Sequence, residues 1–448
     1  NAGLVGSEMC IRDSVSAVLW GTTLSAEPSW KAKEYPATAA HAPTPLPDRV
    51  VLTWDGNPAT SQAVTWRTDV TVMEGKAQLA VANANGRALQ PDTFIATTTH
   101  FESDINAAHY HSVTFKGLQP ETLYAYRVGD GVNWTEYYHF RTASSEAKPF
   151  SFIYFGDAQN DIRTHWSRVF REAFRDAPRA AFTLHAGDLI DEDAWDAEWG
   201  QWHQGPDWVN GTIPVVATPG NHEYFQTFDR TQKSRVRKQV STHWRPQFAF
   251  PIQDVPDASL QETVYYLDYQ GVRFISLDSN TAQAAQVPWL REVLENNPHP
   301  WTIVTFHHPV FSPASDRDNT ELRELWKPLF DEFQVDLVLS GHDHIYARTG
   351  EVDQAKVFNV PSGYQQAYDP NIGTVYVVSV SGPKLYKVTK GKYAKRFAEN
   401  TQLYQIINIE GNQLRFRAFT ATGNLYDEFL LQKQPEQPNL LIETFLQQ

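Results

Sequence analysis

Five short motifs in this chain bring together residue types that bind metal ions. Asp157 follows Gly156 at the end of the apolar run 150–155, and Asp188 follows Gly187 at the end of 181–186. Asn221 and His222 follow Gly220 after the run 213–218. His307-His308-Pro309 follows 301–306, and Gly341-His342-Asp343-His344 follows 335–340. Carboxylate, carboxamide oxygen and imidazole together suit borderline first-row metals such as Zn, Mn or Fe. A glycine precedes Asp157, Asp188, Asn221 and His342, and glycine permits the sharp turns that aim the next side chain into a shared cleft. A single Gly-Asp carries no information. Five motifs, each closing an apolar run, point to one metal or catalytic centre.

The elements that position these residues follow from the same pattern. Each run is short and apolar, as in a strand buried on both faces, and the polar motif stands at its C-terminal end. In α/β folds that edge holds ligands. Helices are expected at about 164–175, 288–296 and 320–333, packed on the sheets. Tyr265–Ser276, Val375–Val380, Leu403–Ile409 and Gln413–Phe419 read as antiparallel strands that complete mixed sheets. The insertion after Asn221-His222 carries Arg235, Arg237, Lys238, His243 and Arg245, and reads as a solvated helix face or else as a lid over the cleft whose basic residues meet substrate. His185, on a buried run, reads as a packing residue, and the acidic Asp191, Glu192, Asp193 and Asp196 as neighbours of the site or solvated groups.

A different pattern precedes this region. Residues 48–143 alternate apolar and polar side chains in short runs separated by turns such as Asp55-Gly56-Asn57-Pro58 and Gly129-Asp130-Gly131. That spacing predicts a β-sandwich. The segment from Gly117 to Tyr126 resembles the corner of a fibronectin type III domain, in which a Tyr hydroxyl ties back to the backbone. The boundary falls in Ala143–Pro149, and the site-bearing domain covers 147–432. Residues 1–14 read as non-native sequence, 15–26 as a signal-peptide remnant, 27–47 as a Pro- and Ala-rich linker and 433–448 as a tail.

Bulk properties narrow the function. The chain has 448 residues and a net charge of −14, from 38 basic and 52 acidic side chains. Such a balance argues against nucleic-acid partners. It also repels anionic substrates at long range, so a phosphate site here needs strong local positive charge, which metal ions supply. Cys10 is the one cysteine, which leaves neither an intrachain disulfide nor a multi-cysteine zinc site. No apolar run reaches the roughly 18–20 residues of a membrane-spanning helix. A secreted or periplasmic location is expected; the oligomeric state is not legible.

The order Gly-Asp, Gly-Asp, Gly-Asn-His-Glu, His-x-Pro, Gly-His-x-His resembles that of the calcineurin-like metallophosphoesterases. With the fibronectin-like domain in front, over roughly 48–430, it resembles the purple acid phosphatases and their bacterial relatives. The resemblance implies a four-layer αββα catalytic domain. It implies hydrolysis of small-molecule phosphate monoesters by a hydroxide bridging two metal ions, Fe, Zn or Mn. Asp157 and His344 would bind the first metal, Asp188 both, and Asn221, His307 and His342 the second. His222 would protonate or stabilise the leaving alkoxide, with Glu223 orienting it. Of the two adjacent histidines, the pattern makes His307 the ligand and leaves His308 beside it.

Two positions depart from that pattern. The Tyr that binds the first metal and colours the purple enzymes is Asp191 here, and the His of an Asp-x-His first motif is Gln159. The protein is therefore expected not to be purple, with Gln159 either a weak carbonyl ligand or a neighbour of the ligands. The His pair that holds substrate phosphate in the plant enzymes is missing from Ser312–Asn319, where Arg317 reads as a solvated loop residue or else as its replacement. A phosphodiesterase or nucleotide pyrophosphohydrolase with the same metals is the first alternative. A catalytically silent binding protein is the second.

Overall fold

The computed structural model describes residues 41–229, 234–357 and 360–444, with side chains outside 226–238. The expected non-native terminus, the expected signal remnant and the expected linker up to residue 40 lie outside the described residues. Among the described residues no helix is long and apolar enough to cross a membrane.

The first domain is a sandwich of two four-stranded antiparallel sheets. One has the order β1 (Asp48–Thr53), β2 (Ser61–Thr68), β6 (Ala107–Lys116), β5 (Thr97–Glu102). The other runs β4 (Asp92–Ile95), β3 (Lys76–Val81), β7 (Leu123–Gly129), β8 (Tyr138–Arg141). Inward residues from both, among them Leu52, Val64, Trp66, Leu79, Phe115, Tyr126 and Phe140, form one core. The expected corner is present: Tyr124 Oη accepts the Gln119 N–H at 2.9 Å.

Strand β2 alternates as a half-exposed strand should, yet every residue of it is buried. Its polar face is covered by the second domain. Arg67 and, from β1, Arg49 reach Asp196, and Thr65 donates to the Gln247 carbonyl at 2.6 Å. Buried polar groups need such partners.

The second domain stacks two seven-stranded sheets between helices. The first sheet has the order β11 (Val215–Ala217), β10 (Thr183–His185), β9 (Phe150–Phe155), β21 (Leu403–Glu410), β22 (Gln413–Thr420), β23 (Leu425–Gln434), β24 (Gln437–Glu443). The second runs β14 (Tyr265–Tyr269), β15 (Val272–Ser276), β16 (Trp301–Thr305), β17 (Leu337–Ser340), β19 (Val375–Val378), β18 (Tyr346–Arg348), β20 (Arg396–Ala398). Between them pack Phe152, Tyr154, Phe182, Phe274, Ile303, Leu337 and Val375. Alternate residues of the second sheet, such as Ile275, Val304 and Val338, face α4 (Gln286–Glu295) and α5 (Thr320–Glu332) through Leu290, Trp326 and Phe330. Helix α1 (Ser167–Asp176) covers the first sheet with Val169, Phe170 and Ala173 and turns Arg168 and Arg171 to solvent. The helices α2 (Asp196–Gln204) and α3 (Trp244–Gln247) lie towards the sandwich. This is the four-layer αββα arrangement.

Several local expectations are corrected. Tyr265–Ser276 is two strands around Gln270-Gly271, and β15 runs parallel to β16. Val375–Val378 runs parallel to β17 rather than antiparallel. Both therefore end on the edge that carries the motifs. The insertion after His222 begins as a hairpin, β12 (Tyr224–Asp229) and β13 (Ser234–Val240), not a helix; its alternating β-branched and aromatic residues favour a strand. Residues 437–443, read as part of a tail, pair with β23 as an edge strand, where Pro438 costs no ladder bond.

Candidate metal centre

The strand ends place the predicted residues around one cleft. Asp157 bridges in parallel to Val380 beyond β9 and is fully buried. Its backbone carbonyl accepts from Ser381 and Gly382 at 3.1 and 2.6 Å, and its Oδ1 accepts the His342 N–H at 2.6 Å. Asp188, 1% exposed, accepts the His222 N–H on Oδ1 at 2.9 Å. The glycines before the motifs are required by close approach: a Cβ at Gly220 would collide with the Asp188 carboxylate, and one at Gly341 with that of Asp157.

The imidazoles are oriented by backbone carbonyls. His307 Nδ1 donates to the Ala186 carbonyl at 2.9 Å and His344 Nδ1 to that of Lys384 at 2.7 Å. Such bonds fix the tautomer and turn Nε2 inward. His307 Nε2 lies 3.1 Å from Asp188 Oδ2, 3.2 Å from Asn221 Oδ1 and 3.1 Å from His342 Nδ1. His344 Nε2 lies 3.1 Å from Asp157 Oδ2, a buried oxygen that accepts no hydrogen bond. The Asp157 oxygen thus lacks a donor, and a cation would supply its partner. The donor atoms of Asp157, Asp188 and His307 lie within 4.8 Å of one another, as do those of His307, His308 and His342. His308 is tied through Nδ1 to Ser279 Oγ at 2.8 Å, its ring centroid 4.2 Å from that of His342.

The electrostatics agree on the need for positive charge. Burial pushes the Asp188 carboxyl up, but His307 and His222 overcome it and hold it well below the usual range. Burial pushes His307 down, but Asp188 beside it raises it to about 9. The carboxylates thus draw a proton onto an imidazole whose geometry suits a metal.

His222 stands at the cleft with its side chain 24% exposed. Its Nδ1 donates to the Asp191 carbonyl at 2.5 Å, and its Nε2 is 4.0 Å from Asp188 Oδ2. Glu223 does not orient it directly. That carboxylate instead accepts the backbone N–H groups of Asp188 (2.8 Å), Leu189 (2.7 Å) and Gly220 (2.6 Å), and so clamps two motif loops together. Burial and Asp188 raise its pKa to about 7. Asp191 and Glu192 are held through their N–H groups by Glu198 at 2.8 and 2.9 Å. Asp196 is not solvated: it is 1% exposed and lies between Arg49 and Arg67. His243 is buried, stacked on Trp199 and 3.6 Å from Asp196, and Arg245 pairs with Glu262 at 3.1 Å. His185 is packed among Phe155, Trp166 and Trp202.

The two departing positions also meet here. Gln159 turns its amide nitrogen to Asp188 Oδ2 (2.9 Å) and His344 Nε2 (3.1 Å), and its Oε1 to Lys384 Nζ at 3.5 Å. The Asp191 carboxylate lies 3.5 Å from His222 Nδ1 and 4.0 Å from Lys384 Nζ. Arg317 pairs with buried Asp343 at 3.1 Å and lies over the Tyr386 ring, which stacks on His344. Lys384, Glu198 and Ser279 were not singled out from sequence. A signal for Lys384 and Ser279 existed, since each follows an apolar run that ends on the same edge.

Residues 150–346 match the calcineurin-like phosphoesterase model, and 47–142 match the purple acid phosphatase N-terminal domain. The chain is 26% identical over 305 residues to purple acid phosphatase 15 of Arabidopsis thaliana, covering 61% of this chain and 53% of that protein. It is 27% identical over 289 residues to acid phosphatase type 7 of Danio rerio, covering 57% and 61%. The matched region thus spans little more than half the length of these relatives. The fold is similar to that of a purple acid phosphatase from yellow lupin seeds, with TM-score 0.68 at 18% identity over 86% of this chain and 74% of that one. This chain joins a purple acid phosphatase N-terminal domain to a calcineurin-like phosphoesterase domain.

Proposed function

We propose that this chain is a metal-dependent phosphoesterase acting on small-molecule phosphate monoesters. One observation carries the reading: Asp157, Asp188 and Asn221 from the first sheet meet His307, His342 and His344 from the second, with the Nε2 atoms of His307 and His344 turned onto the carboxylates. Asp157 and His344 would hold a first metal ion, Asp188 both, and Asn221, His307 and His342 a second. The donor set suits Fe, Zn or Mn. Bound there, such ions neutralise phosphate charge and activate water.

The protein's own groups do the rest. Glu223 ties two neighbouring motif loops together through the Asp188 and Gly220 N–H groups. His222, with Nδ1 committed to the Asp191 carbonyl, keeps Nε2 for the substrate. In its protonated form that nitrogen gives its proton to the leaving alkoxide oxygen. The exposure of His222 at the cleft supports this role.

The test is hydrolysis of p-nitrophenyl phosphate after addition of Mn, Zn or Fe, with the Asp188→Ala and His222→Ala variants alongside. Activity lost in Asp188→Ala and reduced about a hundred-fold or more in His222→Ala is expected; full activity in either refutes its role. A phosphodiester or nucleotide pyrophosphate substrate is the second reading. It is favoured by Arg317, which is engaged with Asp343 where the plant enzymes place a phosphate-binding His pair. Faster turnover of bis-p-nitrophenyl phosphate than of the monoester would select it.

A further inference from the structure

Because β19 runs parallel to β17, its C-terminal end delivers the loop Ser379–Tyr386 to the cleft. This loop is built into the site. Ser381 and Gly382 donate to the Asp157 carbonyl, and the Lys384 carbonyl receives the His344 Nδ1 proton. The Tyr386 N–H donates to the His344 carbonyl at 3.1 Å. The position of Lys384 is therefore set by the candidate ligands themselves. Its side chain is one-third exposed, with the ammonium 3.5 Å from Gln159 Oε1 and 4.0 Å from Asp191 Oδ1. Both contacts are long for a charged donor, which bonds an anionic oxygen at about 2.7–2.9 Å. Asp191 also faces His222, so Lys384 and His222 border the same part of the cleft. Arg317, another cation on this side of the cleft, is already paired with Asp343.

We propose that Lys384 is a substrate-binding residue: its ammonium grips a non-bridging oxygen of the substrate phosphate and favours monoester dianions over diester monoanions. A monoester offers three non-bridging oxygens and a second negative charge. A diester offers two oxygens and one charge, and its second ester group would crowd the ammonium. The inference rests on the phosphoesterase reading above and deepens it by naming what selects the substrate class. It also accounts for how a chain of net charge −14 holds a dianion at a site whose first-metal side carries a neutral Gln159.

The test uses the full chain, metal-loaded, as wild type, Lys384→Met and Lys384→Arg. Lys384→Met should raise KM for p-nitrophenyl phosphate, and the dissociation constant of orthophosphate measured by calorimetry, by about ten- to a hundred-fold. KM for bis-p-nitrophenyl phosphate should move by less than about three-fold, metal content should be unchanged, and Lys384→Arg should restore most of the lost affinity. Unchanged orthophosphate affinity in Lys384→Met overturns the proposal. So does an equal loss towards both esters, or a fall in bound metal that accounts for the loss. A wild type that turns over neither ester defeats the phosphoesterase reading instead, and the orthophosphate titration still decides Lys384.

Discussion

The two halves of the cleft are built differently. Around the His307 Nε2 the neighbours are metal-type donors: Asp188, Asn221 and His342 all lie within 3.2 Å of it. Around His344, donors are interleaved with other chemistry: Asp157 on one side, the Gln159 amide on another and the Lys384 ammonium beyond it. The first half is a dense ligand set held by Gly turns and the Glu223 clamp. The second half sets the Gln159 amide among its donors and a cation beside it. One cleft can thus pack candidate metal donors densely on one side and mix them with an amide and a cation on the other.

The largest effect should come from the dense half. His307→Ala should lower kcat/KM for p-nitrophenyl phosphate by at least about a thousand-fold, because it strips both the ligand and the partner of Asp188. Gln159→Ala should lower it by no more than about ten-fold. Equal losses in the two would erase the distinction drawn here.

The loop from Asp188 to Asp196 links the cleft to the sandwich, since Asp196 is buried between Arg49 and Arg67. Asp196→Ala leaves two guanidinium groups short of a partner and should cost about 3–5 kcal/mol in chemical denaturation. A cost below about 1 kcal/mol would show that the seam does not anchor the loop. A smaller contrast should appear on titration with a chelator. About one equivalent of metal should leave ahead of the other, and Gln159→His, which restores an imidazole, should retain the early-leaving metal more tightly. Simultaneous loss of both equivalents in the wild type would contradict the asymmetry.

The smallest predicted effect is on acid stability. Burial lowers His185 and His203 to about 3, and burial with nearby His109 lowers His111 to about 4. An unfolded histidine takes its proton near 6.5. These neutral imidazoles therefore contribute stability that is full above pH ~6.5 and lost as pH falls towards 3–4. His185→Phe, at a site lined by aromatic rings, should make stability fall less steeply between pH 6.5 and 3; an unchanged slope would remove His185 from that account.

The frame of the site was legible because each ligand type follows its own apolar run, and the sandwich because its strands alternate between clear turns. Strand direction was not legible. Val375–Val378 has the same composition whether it pairs parallel or antiparallel, and with its direction misread, Lys384 was missed. Glu223 was misjudged because its partners are backbone N–H groups, which leave no trace in residue types. The burial of Arg49 and Arg67 depends on the second domain covering the sandwich, a tertiary fact that a half-polar strand pattern points away from. Residues 437–443 read as a tail because Pro438 and the glutamines argue against a strand, yet an edge position tolerates both.

The most direct test of the central claim is metal content measured together with p-nitrophenyl phosphate turnover in the wild type and in Asp188→Ala. Two equivalents of tightly bound metal and turnover are expected in the wild type, with both lost in the variant. Fewer than one equivalent and no turnover after addition of Mn, Zn or Fe would contradict it.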